Sequence, residues 1–503
     1  MLREIIAQYR RDARLRYILI AGLIVQLVMA WTSVGSYHPD QHFQIIEFSS
    51  YQLGEPHGAA AVWEYYHPVR PSIQIYLFSG WHVVMKSLGI LNPYTELTIL
   101  RLVLGLLMFA LFNVLAIHYL REAGKKVVYA VLLILNFSWF LPYAKVQFSS
   151  EIISSLFFFG TLLWYDVRKD KNPGFGFLCL IGFLFSLAFY FRFQVGFFLL
   201  GFGVWMIWVA RTARHILPMA IGFILGTALN TWMDYTFFHR LVITPYEYYY
   251  INIIDKRAAM FGTSSFLRYI GLFIAVVAAP PLSLILFFYA GKSFLRNYKH
   301  VLFLTTMSFI IAHCLVGHKE ERFMFPALFI LPVWMGWGLP SLLEYYAKCR
   351  SWIRGTLKGI TIFSVTLNCI VLVLLVFNPY SQSIHFTELL EKRFEPGSET
   401  ASVYFLKRSP FETPAHSPYI FYQRYFKKTS FFRVNDNDSL QFIRGNSSYV
   451  TTTFDDFEGR RVADSLGYKP VLYSSALLWK INSFLASRQM QPINDIWVLY
   501  KKE

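Results

Sequence analysis

Charge is scarce in this chain. Of its 503 residues, 15% are Asp, Glu, Lys or Arg, while 55% are hydrophobic. An ordinary soluble domain carries about 25% charged residues. Runs such as Tyr17–Thr32, Val127–Phe140 and Ile360–Phe377 hold no charge at all. Runs of this length and character exclude a soluble globular chain, because only a helix satisfies its own backbone in lipid. Cysteine is equally sparse. Cys179, Cys314, Cys349 and Cys369 all lie in or beside apolar runs, and the hydrophilic C-terminal segment has none. A disulfide framework and a cysteine-based zinc site are therefore not expected. Gly-rich phosphate loops are missing, which disfavours nucleotide-sugar and ATP chemistry. Asn435-Asp436-Asn437-Asp438 is acidic but reads as a loop of the C-terminal segment. No divalent metal and no other cofactor is expected. The first apolar run follows Arg10, Arg11, Arg14 and Arg16 and lacks an Ala-x-Ala-like site, so it is not read as a cleavable signal. No internal repeat stands out, which counts against inverted-repeat transporters.

What is present is a formal net charge of +17. In a soluble protein this would suggest nucleic acid. Here Lys and Arg crowd into alternate loops, so the charge reads as topogenic and no nucleic-acid partner is expected. Six segments carry most of it: Arg3–Arg16, Arg121–Lys126, Arg168–Lys171, Arg211–Arg214, Lys292–Lys299 and Lys348–Lys358. The positive-inside rule places all six in the cytoplasm. Spans then fit at 17–36, 97–118, 127–143, 152–166, 174–190, 195–210, 216–233, 268–290, 301–317, 324–345 and 358–378. Ser72–Gly89 tests the scheme, since a crossing there would invert every later basic loop; it is read as an interfacial or re-entrant helix. The expected architecture is a multi-pass α-helical membrane domain over 1–379. It has about eleven transmembrane helices, and interfacial helices in the first outer loop. A small non-cytoplasmic α/β domain is expected over 380–503, from strand-like runs at Ser448–Phe454 and Ile496–Tyr500 and a helical stretch at Ser474–Ser487.

The remaining loops share one side, and they hold most of the polar motifs. His38-Pro39-Asp40-Gln41 follows the first span. A carboxylate at a membrane edge beside a rigid proline suits a general base, and equally a helix cap. Glu47 follows on the same helix. Glu64 stands in Trp63-Glu64-Tyr65-Tyr66-His67-Pro68, where aromatics suit a sugar face or a headgroup belt. His318-Lys319-Glu320-Glu321-Arg322-Phe323 packs five ionisable groups between two spans. Charge at that boundary is costly and points to use. Lys319 and Arg322 suit a phosphate; a self-neutralising turn is the alternative. Lys145, Glu151, Arg192 and Asp234 lie in loops of the same side and are candidates for supporting roles.

These residues resemble the Alg9-like α-mannosyltransferases, glycosyltransferase family 22. His38-Pro39-Asp40 and His318-Lys319-Glu320-Glu321-Arg322-Phe323 carry most of the likeness. Arg70-Pro71-Ser72, Arg101, Ser149 to Glu151, Asp234, Thr244-Pro245, Tyr248 and Asn252 add to it, as does Thr413-Pro414-Ala415-His416-Ser417-Pro418-Tyr419. The chain departs from the family pattern at Gln41, where Glu is usual, at Glu247, where Asn is usual, and at Ala415, where Cys is usual. The resemblance implies a GT-C fold and inverting transfer of mannose from a polyprenyl phosphate to a glycan or glycolipid hydroxyl. Asp40 would be the base. Lys319 and Arg322, helped by His318, would hold the donor phosphate. Gln41, Glu64, Glu320 and Glu321 would orient groups or meet the acceptor. The alternatives are a GT-C transferase for another polyprenyl-phosphate sugar such as arabinose, and a lipid-linked-sugar flippase. The expected location is a membrane with the site on its non-cytoplasmic face, a bacterial inner membrane being favoured over the endoplasmic reticulum.

Overall fold

The computed structural model describes residues 11–58, 62–260, 262–397, 400–413, 416–434, 448–493 and 496–502. The acidic run 435–438, the sequon residues Asn446 and Ser447, Pro414-Ala415 and the first ten residues lie outside them.

Each apolar run forms helix. Four helices are individually long and apolar enough to cross a membrane: Ala13–Thr32, Pro93–Ala123, Ala213–Phe238 and Ser351–Phe377. A fifth crossing forms if Glu321–Leu328 and Leu331–Lys348, which meet at 54°, are one bent span. Phe175–Phe191, Val195–Val209, Leu282–Phe294 and Val301–Leu315 are shorter apolar helices. Lys125–Phe137 and Ser150–Arg168 cover two more expected spans. The chain is thus a multi-pass helical membrane protein. The expected span 268–290 is corrected: it is two helices, Arg268–Val276 and Leu282–Asn297, separated at Pro280-Pro281. Two successive prolines remove two backbone donors and cannot sit inside a helix. The expected span 127–143 likewise stops at Phe137 and resumes as the short turn Leu141–Ala144 around Pro142.

The chain divides into two compact units. The first comprises Met1–Trp31, His67–Gln74 and Leu100–Leu374. In it, small residues set the closest approach of helices. A Cβ on Gly182 would stand 1.8 Å from the Met219 carbonyl oxygen, and one on Gly222 would stand 1.8 Å from that of Cys179. Helices Phe175–Phe191 and Ile216–Phe238 therefore touch backbone to backbone, which is how helices associate where burying apolar surface drives nothing. Ser351–Phe377 instead exposes Ile362, Phe363, Val373 and Phe377, a face suited to lipid.

The second unit comprises Thr32–Tyr66, Ile75–Ile99 and Leu375–Glu503. It begins its C-terminal part close to the expected boundary at 379, and takes in most of the first outer loop besides. Five strands form its sheet: β1 Ala401–Leu406, β2 Thr429–Val434, β3 Ser448–Thr453, β4 Tyr468–Tyr473 and β5 Trp497–Lys502, in the order β2-β1-β3-β5-β4. β1 pairs parallel with β2 and β3, and β5 antiparallel with β3 and β4. The first four residues of β5 are buried on both faces, as a central strand between helical layers requires. On one face Val403, Trp497 and Leu499 pack with Phe386 and Leu390 of helix Gln382–Phe394. On the other, Leu406, Val450, Val498 and Tyr500 pack with Ala463 of helix Phe457–Ser465. The segment expected not to cross forms helix Ile73–Ser87, of 15 residues.

Candidate active site

Within the second unit, the first outer loop begins with an extended His38, whose Nδ1 accepts from the Asp40 amide at 3.3 Å and so caps the turn Pro39–Gln41. Pro39 occupies the first helical position, where its missing N–H is harmless. The His38 Nδ1 and an Asp40 carboxylate oxygen are 3.7 Å apart, and both side chains are about one-third exposed, at 37% and 36%. Asp40 thus presents a partly solvated carboxylate at a fixed helix start, while the cap role falls to His38. Gln41 turns inward. Its side-chain oxygen accepts from the Tyr37 amide at 3.1 Å, and its buried Nε2 has no hydrogen-bond partner among the described residues. Glu64 is buried and accepts from Gln44 Nε2 at 3.5 Å.

The next turns contain a hub that sequence reasoning placed on the helix but gave no role. Glu47 is fully buried. One of its oxygens takes the His42 Nε2 at 2.8 Å and the Phe421 amide at 3.0 Å, and the other takes the Gly58 amide at 2.9 Å. Burial pushes the Glu47 carboxyl up, but the hydrogen bond and charge of His42, with the two amides, outweigh it. The group is held below the usual carboxylate range. His38 and His42 have the four-residue spacing of a helical metal pair, yet His42 is committed to Glu47. The His42 ring also stacks on Tyr422 and meets Tyr419 edge-on. Tyr419 ends the family-like segment in which the Thr413 hydroxyl accepts from the Ser417 amide at 3.0 Å. One buried carboxylate therefore joins the helical segment that begins at Pro39 to the first turn of helix Ile420–Gln423.

Within the first unit, the segment 318–323 folds as an extended stretch and then a tight turn, Glu321–Met324. His318 Nε2 lies 3.0 Å from Glu320, and the Arg322 Nε donates to the other Glu320 oxygen at 2.5 Å. Lys319 is buried and donates to the Val316 carbonyl. Glu321 faces outward, 3.7 Å from Arg268. Two other loops converge on Arg322. Glu151, just after the helix cap Ser149, places an oxygen 4.0 Å from the Arg322 Nε and 3.2 Å from Arg192 Nη1. The structure thus unites His318, Glu320, Arg322, Glu151 and Arg192 in one charged cluster, in which Arg322, Glu151 and Arg192 are buried and His318 and Glu320 partly exposed.

Two residues expected to support this cluster do other work. Lys145 is fully buried and donates to the Leu135 carbonyl at 2.7 Å and to Asn136 at 3.3 Å. Burial without a carboxylate lowers its pKa to about 7. It joins an amide pair in which Asn113 and Asn136 bond each other. Asp234 is spent on structure: it accepts from the Ser72 amide and hydroxyl, both at 2.7 Å, and from the Thr244 hydroxyl at 2.8 Å. That ties Arg70-Pro71-Ser72, the end of a span and Thr244-Pro245 together.

This helical architecture, with charged loops at helix ends and a small terminal sheet, is that of a GT-C membrane protein. The fold is similar to ArnT from Cupriavidus metallidurans, in its crystal structure bound to undecaprenyl phosphate. The TM-score is 0.51 at 11% identity, over 96% of this chain and 97% of that one. The chain belongs to the Alg9-like mannosyltransferase family, which it matches over residues 17–417. Among curated relatives, GPI mannosyltransferase 3 of Yarrowia lipolytica is 21% identical over 69% of this chain and 66% of that protein. GPI mannosyltransferase 3 of Candida albicans is 30% identical over 125 residues, where the match spans about a quarter of that protein's length.

Proposed function

We propose that this chain is an inverting mannosyltransferase. It moves mannose from a polyprenyl phosphate of dolichyl type to a hydroxyl of a glycan or glycolipid at the non-cytoplasmic face of its membrane. That membrane is a bacterial inner membrane or, in a eukaryotic source, that of the endoplasmic reticulum. The family match over 17–417 carries this reading. The acceptor oxygen attacks C1 of β-linked mannose, the C1–O bond to phosphate breaks, and the hydroxyl proton passes to Asp40. The products are an α-mannoside and polyprenyl phosphate. The leaving group is already a phosphate, so it asks for cations and not for a protein acid. Arg322 and Lys319 have that role, with His318 beside them, while Glu320 fixes the guanidinium through its 2.5 Å contact. Gln41, Glu64 and Glu321 are assigned to orientation or to the acceptor. No divalent metal is assigned, so chelation by EDTA leaves transfer unchanged; its loss on chelation would overturn that assignment.

The test is transfer from purified polyprenyl-phosphate mannose to a panel of glycan and glycolipid acceptors, with the linkage read by NMR. A β product, or transfer of arabinose in preference to mannose, would favour another GT-C chemistry. Lipid-linked sugar crossing vesicles without transfer would favour a flippase. Asp40→Asn is expected to lower turnover by about 10²–10⁴ with the fold intact, and an unchanged rate removes Asp40 as the base.

A further inference from the structure

Arg192 sits in the turn between helices Phe175–Phe191 and Val195–Val204, on extended backbone. Its side chain is 6% exposed. Nη1 reaches Glu151, and the guanidinium carbon lies 4.8 Å from the centre of the Phe323 ring. Arg322 uses the same two partners, with its Nε 4.0 Å from the same Glu151 oxygen and its guanidinium carbon 5.6 Å from the same ring. Two buried guanidiniums thus converge on one carboxylate oxygen and one aromatic ring. The carboxylate does not use up both forks. Among the described residues, Arg192 Nη2 and the Glu151 Oε1 that faces the two guanidiniums are both buried without a hydrogen-bond partner.

A buried N–H without an acceptor is unfavourable, and a second like charge beside it adds to the strain. An anion with several oxygens relieves both. The planar fork of arginine, with Nη1 in ion-pair range of Glu151 at 3.2 Å and Nη2 unengaged, matches a phosphate. We propose that Arg192 is a second phosphate-binding guanidinium, positioned by Glu151, and that its ligand is the phosphate of the polyprenyl donor and product. This rests on the donor assignment above. As the C1–O bond breaks, the phosphodiester monoanion becomes a monoester with more charge. A donor aimed at that charge acts more strongly in the transition state than in the ground state. Loss of Arg192 should therefore lower kcat beyond any change in KM.

The experiment uses the full chain in nanodiscs and measures affinity for undecaprenyl phosphate, undecaprenol and inorganic phosphate. Arg192→Gln is expected to weaken undecaprenyl phosphate about tenfold or more and to leave undecaprenol unchanged. Inorganic phosphate should compete only weakly, since it lacks the lipid. Arg192→Lys keeps the charge opposite Glu151 and guards against a folding defect; it lacks the second arm and should still bind several-fold more weakly. Wild-type affinity in either folded variant, beside a loss in Arg322→Gln, overturns the proposal and leaves the donor assignment standing. If the wild type binds undecaprenyl phosphate no better than undecaprenol, the donor assignment itself fails. Tight inorganic phosphate would point to a soluble ligand and overturn the lipid phosphate as its source.

Discussion

At the residue scale, two buried carboxylates organise the charged parts of this protein. Glu151 serves two guanidiniums, and Glu47 serves His42 and two backbone amides. Removing one partner of a buried pair leaves an uncompensated charge and is strongly destabilising. Glu151→Gln is expected to destabilise the first unit by about 3–5 kcal/mol, seen as a lower midpoint in thermal melts. A midpoint equal to wild type would mean that the cluster is solvated and not buried. Glu47→Ala strands three donors, each worth about 1–3 kcal/mol when buried and unsatisfied. Neither role was legible in sequence. His42 is five residues from Glu47, but the two amide partners lie 11 and 374 residues away, and the fold, not local spacing, brings those in. The motif residues themselves were legible because Asp40 and Arg322 stand in dense polar runs against an apolar background. Lys145 and Asp234 looked alike on those grounds, and only their bonding separates them from the cluster.

A pH dependence also belongs to single residues. His82 lies 2.9 Å from Glu96 and 3.2 Å from Glu55, and Glu55 also takes Arg424 at 2.7 Å and Lys86 at 3.0 Å. The hydrogen bond to Glu96 raises the His82 pKa above 6.5 against the opposing effect of burial, and the charges of Glu96 and Glu55 add to it. The stabilisation from His82 is therefore fully present below its unfolded pKa, and is lost as pH rises through its higher folded pKa. Glu47 and Glu55 have lowered values, so their contributions are present above the usual carboxylate range and are lost as pH falls through their folded values. The second unit should be most stable in the window between. His82→Gln should flatten the alkaline side of a plot of melting midpoint against pH. An unaltered slope there would refute the assignment.

At the element scale, the helices were readable because an apolar run long enough for lipid has few other options. Their breaks were readable in part: Pro280-Pro281 and Pro142 stand in the sequence, yet the hydropathy around them is continuous, and it hides the interruption. Two strands, β3 and β5, were expected from the strand-like runs Ser448–Phe454 and Ile496–Tyr500, but β1, β2, β4 and the order β2-β1-β3-β5-β4 were not, since pairing depends on partners far along the chain. The Gly182 and Gly222 contact gives the helices a testable joint. Gly222→Leu should separate helices Phe175–Phe191 and Ile216–Phe238, with a loss of about 1–3 kcal/mol or more from overpacking. Gly176→Ala on the same first helix is its control, because a Cβ there meets nothing within 4 Å. Equal effects of the two substitutions on the melting midpoint would remove the packing argument.

At the scale of the whole molecule, the proposed function requires a definite sidedness. The basic loops at 121–126, 168–171, 211–214, 292–299 and 348–358 assign one face, and the short helix Ile73–Ser87 must stay on the other for the scheme to hold. The proposed function has a lipid-linked donor enter from the bilayer while its sugar needs water, so that proposal expects the polar loops and the C-terminal segment on the face away from the basic loops. In a cysteine-free background, single cysteines at Asp170 and at Lys392 separate the possibilities, since both positions are exposed. In intact spheroplasts, a membrane-impermeant thiol reagent should label Lys392→Cys and spare Asp170→Cys until the membrane is opened. The reverse pattern would put the C-terminal domain in the cytoplasm. Labelling of both would mean that the crossings between positions 170 and 392 are even in number, and that a helix such as Leu282–Asn297 does not span.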